Sequence, residues 1–260
     1  MTLDDLTIII PTWKNPTWLA RCLSSLAHNT RSPLVKKIIV SGPMPLQVEC
    51  GPLPVEWHHT PEDWTALDKM RHAMRYLTSS DLVMFLQDDC LVLPGRLDWI
   101  ERLVYPFTVD KFVALSSTVT NACSMPHQLI RNALVPGYYY SSAVVPICFL
   151  ANRKVLLESL DLIPHDLFCD QEVALNLIER GHKIVLCTNV PIYHEGMRSS
   201  LIQRGEEGLH AWAREAKERI KRELPNRHGA VWIQRMEEME MVPMDNAFAT
   251  TGENVSLRLW

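Results

Sequence analysis

The apolar positions follow two rhythms. Leu82 to Leu86 is an unbroken apolar run, the pattern of a strand covered on both faces of a parallel sheet. Leu6-Thr7-Ile8-Ile9-Ile10 stops at Pro11-Thr12 and predicts a first buried strand. Val35 to Val40, with Lys36-Lys37 inside it, predicts a second that ends at Ser41-Gly42-Pro43. Between them Leu19, Cys22, Leu23 and Leu26 recur at three- and four-residue spacing behind Pro16, so a helix is expected, capped by Asn15 or Thr17. Strand, helix and strand in this order make a βαβ unit with a right-handed crossover.

The rhythm continues along the chain. A short third strand is expected near Val55-Trp57, within a Pro-rich loop over residues 43–62. Trp64 to Leu77 predicts a helix with Leu67, Met70, Ala73, Met74 and Leu77 on one face. Leu97 to Val104 and Arg153 to Leu160 predict further helices, and Val113 to Ser117 and Cys148 to Leu150 further strands. Residues 119–142 carry little periodicity. Asp170 to Arg180 reads as a helix through Val173, Ala174, Leu177 and Ile178, with Gly181 as its stop. Lys183 to Cys187 is a strand, and Ile192-Tyr193-His194 leads away from it. Leu209 to Leu224 is a charged helix, and past Pro225 the pattern weakens into a tail. The sum is an α/β chain built on a mostly parallel, Rossmann-like sheet, as one domain with a helical C-terminal extension.

Composition narrows the picture. The 260 residues carry a net charge of −4, so no broad basic surface for nucleic acid is implied. The longest apolar stretch, Ala143 to Ala151, is too short to cross a bilayer and contains Pro146. No secretory pattern opens the chain. The 7 cysteines form no CxxC pair, which suits reduced thiols and a cytoplasmic location.

Chemistry enters where the central strand stops. Asp88 and Asp89 stand directly after Leu86-Gln87, and open α/β sheets bind ligands at the carboxyl ends of their strands. Adjacent carboxylates repel unless a cation sits beside them, and hard oxygen donors facing a nucleotide diphosphate suit Mg2+ or Mn2+. An acidic turn closed by Pro94-Gly95 is the other reading of the same stretch.

Four separated pieces together resemble the GT-A fold glycosyltransferases, in particular the family-2 type. Ile8-Ile9-Ile10-Pro11-Thr12-Trp13-Lys14-Asn15 is similar to that family's opening strand and nucleotide-contacting loop. Leu86-Gln87-Asp88-Asp89 with Leu93-Pro94 is similar to its DxD-type segment. Asp170-Gln171-Glu172, with the helix to Gly181 and the strand after it, is similar to its acceptor-side carboxylate segment. Pro191-Ile192-Tyr193-His194 is similar to the segment with its third metal-binding position. The resemblance covers roughly residues 6–195. Three positions differ from the family pattern. Ser41-Gly42-Pro43 replaces an acidic pair, Gln87 or Asp88 fills the first acidic position, and Cys169 stands where a Glu commonly precedes the catalytic Asp.

The resemblance implies an inverting transfer from a nucleotide-diphosphate sugar, with a UDP-sugar as the expected donor, to an acceptor hydroxyl. Asp89 and His194 are implied as metal ligands, and Pro11, Thr12, Trp13, Ser41 and Asp88 as nucleotide contacts. Asp170 is implied as the base, with Glu172 as its competitor. The nucleotide half is expected over residues 1–95, the acceptor half over 96–195, and the extension over 196–260. The acceptor stays open among glycan, lipid, protein, small molecule and modified nucleic-acid base.

Each assignment has a plain rival. His194 suits a histidine held by backbone, and Asp170 suits a helix cap. Arg198, Arg204 and Lys217 suit phosphate or water. Tyr138 to Tyr140, Trp13, Trp64 and Trp212 suit sugar stacking or ordinary packing. At the level of the whole chain, a nucleotidyltransferase would require a glycine-rich loop after the first strand, where Pro11 to Asn15 has no glycine. A non-catalytic descendant that binds a sugar or a partner is the other alternative, favoured by Ser41-Gly42.

Overall fold

The computed structural model describes residue 3, residues 5–43, 50–120, 130–164 and 169–196, and within the C-terminal part residues 204–205, 207–208, 210–212, 214–215, 218–219 and 222–229. The expected βαβ start is present as β1 (Leu6–Pro11), α1 (Pro16–Asn29) and β2 (Val35–Gly42). Then follow β3 (Val55–His59), α2 (Ala66–His72), β4 (Leu82–Leu86), β5 (Cys90–Val92), α3 (Trp99–Val109) and β6 (Val113–Thr120). The described chain continues with β7 (Ile130–Val135), β8 (Tyr138–Ser141), β9 (Cys148–Asn152), α4 (Arg153–Leu160), α5 (Cys169–Glu179) and β10 (Lys183–His194).

All the strands join one sheet in the order β3-β2-β1-β4-β9-β6-β10-β8-β7, with β5 added against β10. The β3, β2, β1 and β4 pairings are parallel, whereas β9 runs antiparallel to both β4 and β6. The two faces can be read from alternate residues. Ile8, Ile10, Leu82, Met84 and Leu86 pack with α1 and α3 through Leu19, Cys22, Leu23, Leu26, Ile100 and Leu103. Ile9, Val83 and Phe85 pack with α2, α4 and α5 through Leu67, Met70, Leu156, Leu160, Val173 and Leu177. Helices on both faces bury the central strands completely, which explains why β4 reads as an uninterrupted apolar run.

Several elements differ from their expected form. The helix expected over Trp64 to Leu77 is α-helical only from Ala66 to His72, behind a capping box of Thr65 and Asp68. Ala73–Leu77 continues it as a π-helical turn. That turn is held from the side: Arg153 Nη1 donates to Met74 O at 3.0 Å and Arg153 Nε to Ser80 O at 2.8 Å. Helix α3 runs past the expected end at Val104 and through Pro106, because Pro106 and Phe107 are buried against the sheet.

The part of residues 119–142 from Ile130 onward forms the β7–β8 hairpin, turned at Pro136-Gly137 with Gly137 at φ 85°. Positive φ is open to glycine and strained for other residues. The rest of that stretch, residues 121–129, lies outside the described residues. Tyr138 packs on Tyr105, and Tyr140 donates to Asp110 Oδ2 at 2.7 Å while Lys183 lies over its ring. These tyrosines therefore do packing work in the sheet.

Finally, β10 carries Ile192-Tyr193-His194 within the sheet instead of leading away from it. Residues 222–229 are helical, so helix continues past Pro225. No described helix is long and apolar enough to cross a membrane.

Candidate active site

The carboxyl ends of β1, β2 and β4 meet at one edge, and β10 returns to it. Thr12, the residue after β1, donates from Oγ1 to Asp88 Oδ2 at 2.6 Å. Its amide donates to Ser41 O at 2.8 Å, and its carbonyl accepts from Lys69 Nζ of α2 at 2.9 Å. Thr12, Lys69 and Asp88 are all buried. A buried ammonium and a buried carboxylate therefore flank one threonine. Gly42 packs closely against Thr12. A Cβ there would lie 2.8 Å from Thr12 Cγ2 and 3.2 Å from Thr12 O, so any side chain would push the two strand ends apart.

The turn after β4 gives Gln87 and Asp88 different surroundings. Gln87 spends its amide on structure: Nε2 donates to Pro146 O at 3.1 Å and its backbone N–H to Ile147 O at 3.0 Å. That anchoring leaves Asp88 directed at Thr12 and Asp89 directed at β10.

Strand β5 then pairs antiparallel with the end of β10, and Cys90 is opposite His194. Glu195 N donates to Asp89 O at 3.1 Å. As a result His194 Nε2 lies 3.1 Å from Asp89 Oδ1, with both side chains buried. A carboxylate oxygen and an imidazole nitrogen facing each other are suitable donors for a divalent cation. Mg2+-type sites commonly use one or two carboxylates and complete their shell with water and substrate phosphate. This pair fits such a site. Among the described residues no group of three or more His, Cys, Asp or Glu forms a closed metal cage.

Beneath the edge lie Cys22 and Cys90. Burial first, and then the charges of Asp88 and Asp89, push the Cys22 thiol well above its ordinary pKa. Burial and the neighbouring Cys22 and Asp89 do the same to Cys90. Both are neutral packing thiols, since reactivity and metal binding need the thiolate.

Beside this edge, Trp13 Nε1, Ser41 Oγ and Thr60 Oγ1 are buried and have no hydrogen-bond partner among the described residues. Thr60 follows β3, and its amide donates to Gly42 O at 2.9 Å. Buried polar atoms left unpaired are rare in native proteins and point to a missing ligand or water.

The acceptor-side segment splits into two environments. Asp170 stands in the first turn of α5, is partly exposed, and accepts from Gln171 Nε2 at 3.0 Å. Glu172 is buried and taken by the C-terminal helix: Arg227 reaches both its oxygens, Nη2 donating to Oε2 at 3.0 Å. His228 Nε2 lies 3.6 Å from Glu172 Oε1 and His228 Nδ1 3.0 Å from Glu179 Oε1. Burial pulls the His228 pKa down, but the nearby carboxylates of Glu172 and Glu179, the latter hydrogen-bonded to it, outweigh burial and raise the value.

Sequence reasoning missed Lys69, Thr60, Arg227 and His228. The one available signal was Lys69 itself, a lysine set among the apolar positions of α2. Of the candidate cations, Arg204 stacks over Trp212 at 4.3 Å, and Arg198 and Lys217 lie outside the described residues. Trp64 packs against His72.

No family model matches the chain, and no curated protein matches it in sequence. Solved structures do match in shape. The mannosyltransferase PcManGT from Pyrobaculum calidifontis, in complex with GDP-Man and Mn2+, superposes with a TM-score of 0.57 at 15% identity, over 80% of this chain and 59% of that one. GalNAc-T7 with UDP, GalNAc and Mn2+ superposes with a TM-score of 0.58 at 12% identity, over 74% of this chain and 44% of that one. The chain thus spans less than two thirds of either structure's length. What these matches establish is the architecture: a mixed central sheet with a mostly parallel core, in an α/β fold resembling the GT-A glycosyltransferases.

Proposed function

We propose that this chain is an inverting glycosyltransferase of family-2 type that uses a nucleotide-diphosphate sugar and a divalent cation. The observation that carries this reading is the joining of Thr12–Asp88 and Asp89–His194 at one sheet edge. Asp89 and His194 would hold the cation, Mn2+ or Mg2+. When bound, it would neutralise charge gathering on the departing diphosphate. Asp88, held by Thr12, would face the ribose. Pro11, Trp13 and Ser41 would line the nucleoside, with the buried Ser41 and Thr60 hydroxyls facing the base. Lys69 would offset the carboxylates from beneath.

On the acceptor side Asp170 takes the hydroxyl proton. The acceptor oxygen then bonds to the anomeric carbon as that carbon parts from the diphosphate oxygen, and attack from the opposite side inverts the centre. Glu172, bound by Arg227, is the less available carboxylate. The nucleotide half would span about residues 1–95 and the acceptor half about 96–195.

The two structural neighbours carry GDP-Man and UDP respectively, so the test begins with a panel of both, uridine diphosphate sugars first. Thermal shift identifies a donor by its stabilisation, and donor turnover is then followed with and without Mn2+. Mn2+-dependent release of nucleoside diphosphate is expected. Tight donor binding with no release under any acceptor would favour the non-catalytic descendant. Release of pyrophosphate from a nucleoside triphosphate would favour the nucleotidyltransferase.

A further inference from the structure

We propose that the 222–229 helix is a working part of the active site: through Arg227 and His228 it fixes the start of α5 and so aims Asp170. This rests on the reading of Asp170 as the base. Glu172 and Glu179 lie about two turns apart on α5, hence on one stripe of it. The C-terminal helix engages that whole stripe, with Arg227 on both oxygens of Glu172 and His228 between Glu172 and Glu179. Leu224 of the same helix is buried. Glu223, on the same helix as Arg227, lies 3.7 Å from its guanidinium.

The consequence for Asp170 is geometric. Residues two apart on an α-helix diverge by about 200° around its axis. Pinning Glu172 toward the C-terminal helix therefore turns Asp170 to the other side of α5. Helix starts fray because their first amides lack internal partners, and a first-turn base would share that looseness. A two-pronged arginine contact removes it, since the planar fork sets direction as well as charge. Arg227 and His228 are accordingly positioning residues, acting through Glu172.

The test compares the parent with Arg227→Met, Arg227→Lys and the double variant Glu172→Gln/Arg227→Met. The double variant leaves no unpaired buried charge, so it guards against plain misfolding. The expected result for Arg227→Met and the double variant is a fall in kcat of about 10- to 100-fold with donor KM unchanged, the scale of a misplaced reacting group. Exchange of the α5 amides from Val173 onward, which have partners inside the helix, should quicken in the same variants, while exchange in β1 and β4 stays at the parent rate. Arg227→Lys keeps the charge without the fork and should recover only part of the rate. Unchanged α5 exchange, or parent-like kcat in the double variant, overturns the proposal. Exchange needs no turnover, so a parent that transfers no sugar would sink the reaction alone and leave the latch to be decided by exchange.

Discussion

His194 Nε2 faces Asp89 Oδ1 at 3.1 Å because three residues, Cys90-Leu91-Val92, pair with the far end of β10. The contact is fixed by backbone on both sides, so it does not depend on the side chains finding each other. If the pair is a metal site, Mn2+ with a nucleoside diphosphate should stabilise the parent, by about 2.7 kcal/mol at a hundredfold excess over Kd. Asp89→Ala and His194→Ala should each abolish the Mn2+-dependent part of the melting shift. Equal Mn2+ shifts in parent and variants would remove both residues from the metal site.

The hydroxyl of Thr12 makes a narrower prediction. Thr12→Val keeps the shape and removes the hydrogen bond to Asp88. Hydrogen bonds to charged groups contribute about 1.5–3 kcal/mol, and the buried Asp88 loses one of its donors. The variant should melt several degrees lower and bind donor about tenfold more weakly, which melting curves and donor titration will show. A variant with the parent's melting point and affinity would mean that Asp88 is held by its other neighbours.

The parts of this edge were unequally legible in the sequence. A strand buried on both faces needs apolar residues at successive positions, so β4 and its terminal Asp88-Asp89 stand out. The acidic carboxylates follow from their place at a strand end. Strand β5 is too short to show alternation, and without it nothing local ties His194 to Asp89. The β7–β8 hairpin was hidden because Arg131-Asn132 and the run Tyr138-Tyr139-Tyr140 show no alternation of apolar and polar positions. Lys69 was hidden because a lysine on a helix ordinarily faces water, whereas this one is buried with its ammonium on Thr12 O. Arg227 and His228 follow Pro225, which reads as a stop. In the helix both meet carboxylates of α5, Glu172 and Glu179.

The His228 contact gives a pH dependence with a definite sign. Burial pulls its folded pKa down, but Glu172 and Glu179 raise it overall, and Arg227 beside it on its own helix pairs with Glu172 and Glu223. A raised pKa means the stabilisation is complete below the unfolded value, about 6.5, and is lost as pH climbs through the folded value. Amide protection in residues 222–229, corrected for intrinsic exchange, should therefore be higher at about pH 5.5 than at about pH 9. His228→Gln should flatten the difference. Protection that rises with pH would contradict the assignment of the imidazole as a cation between two carboxylates.

The carboxylates of α5 can be separated by pH as well as by rate. Asp170 is partly exposed in the first turn of α5. Glu172 is buried against Arg227, which ties its oxygens to a guanidinium and leaves it poorly placed to receive a proton. A positioned base typically contributes about 10²–10⁴-fold, so Asp170→Asn should reduce kcat by that range with donor affinity near the parent's. The substitution keeps the side-chain shape and removes only the basicity. In the parent, kcat should fall at acid pH as the base is protonated, and Asp170→Asn should lose that limb. Glu172→Gln should be slower than the parent through the loosened helix start, yet keep the acid limb because Asp170 is still present. Rates measured across pH for the two variants, with one donor and one acceptor, distinguish the roles. An acid limb that survives in Asp170→Asn and disappears in Glu172→Gln would transfer the base to Glu172.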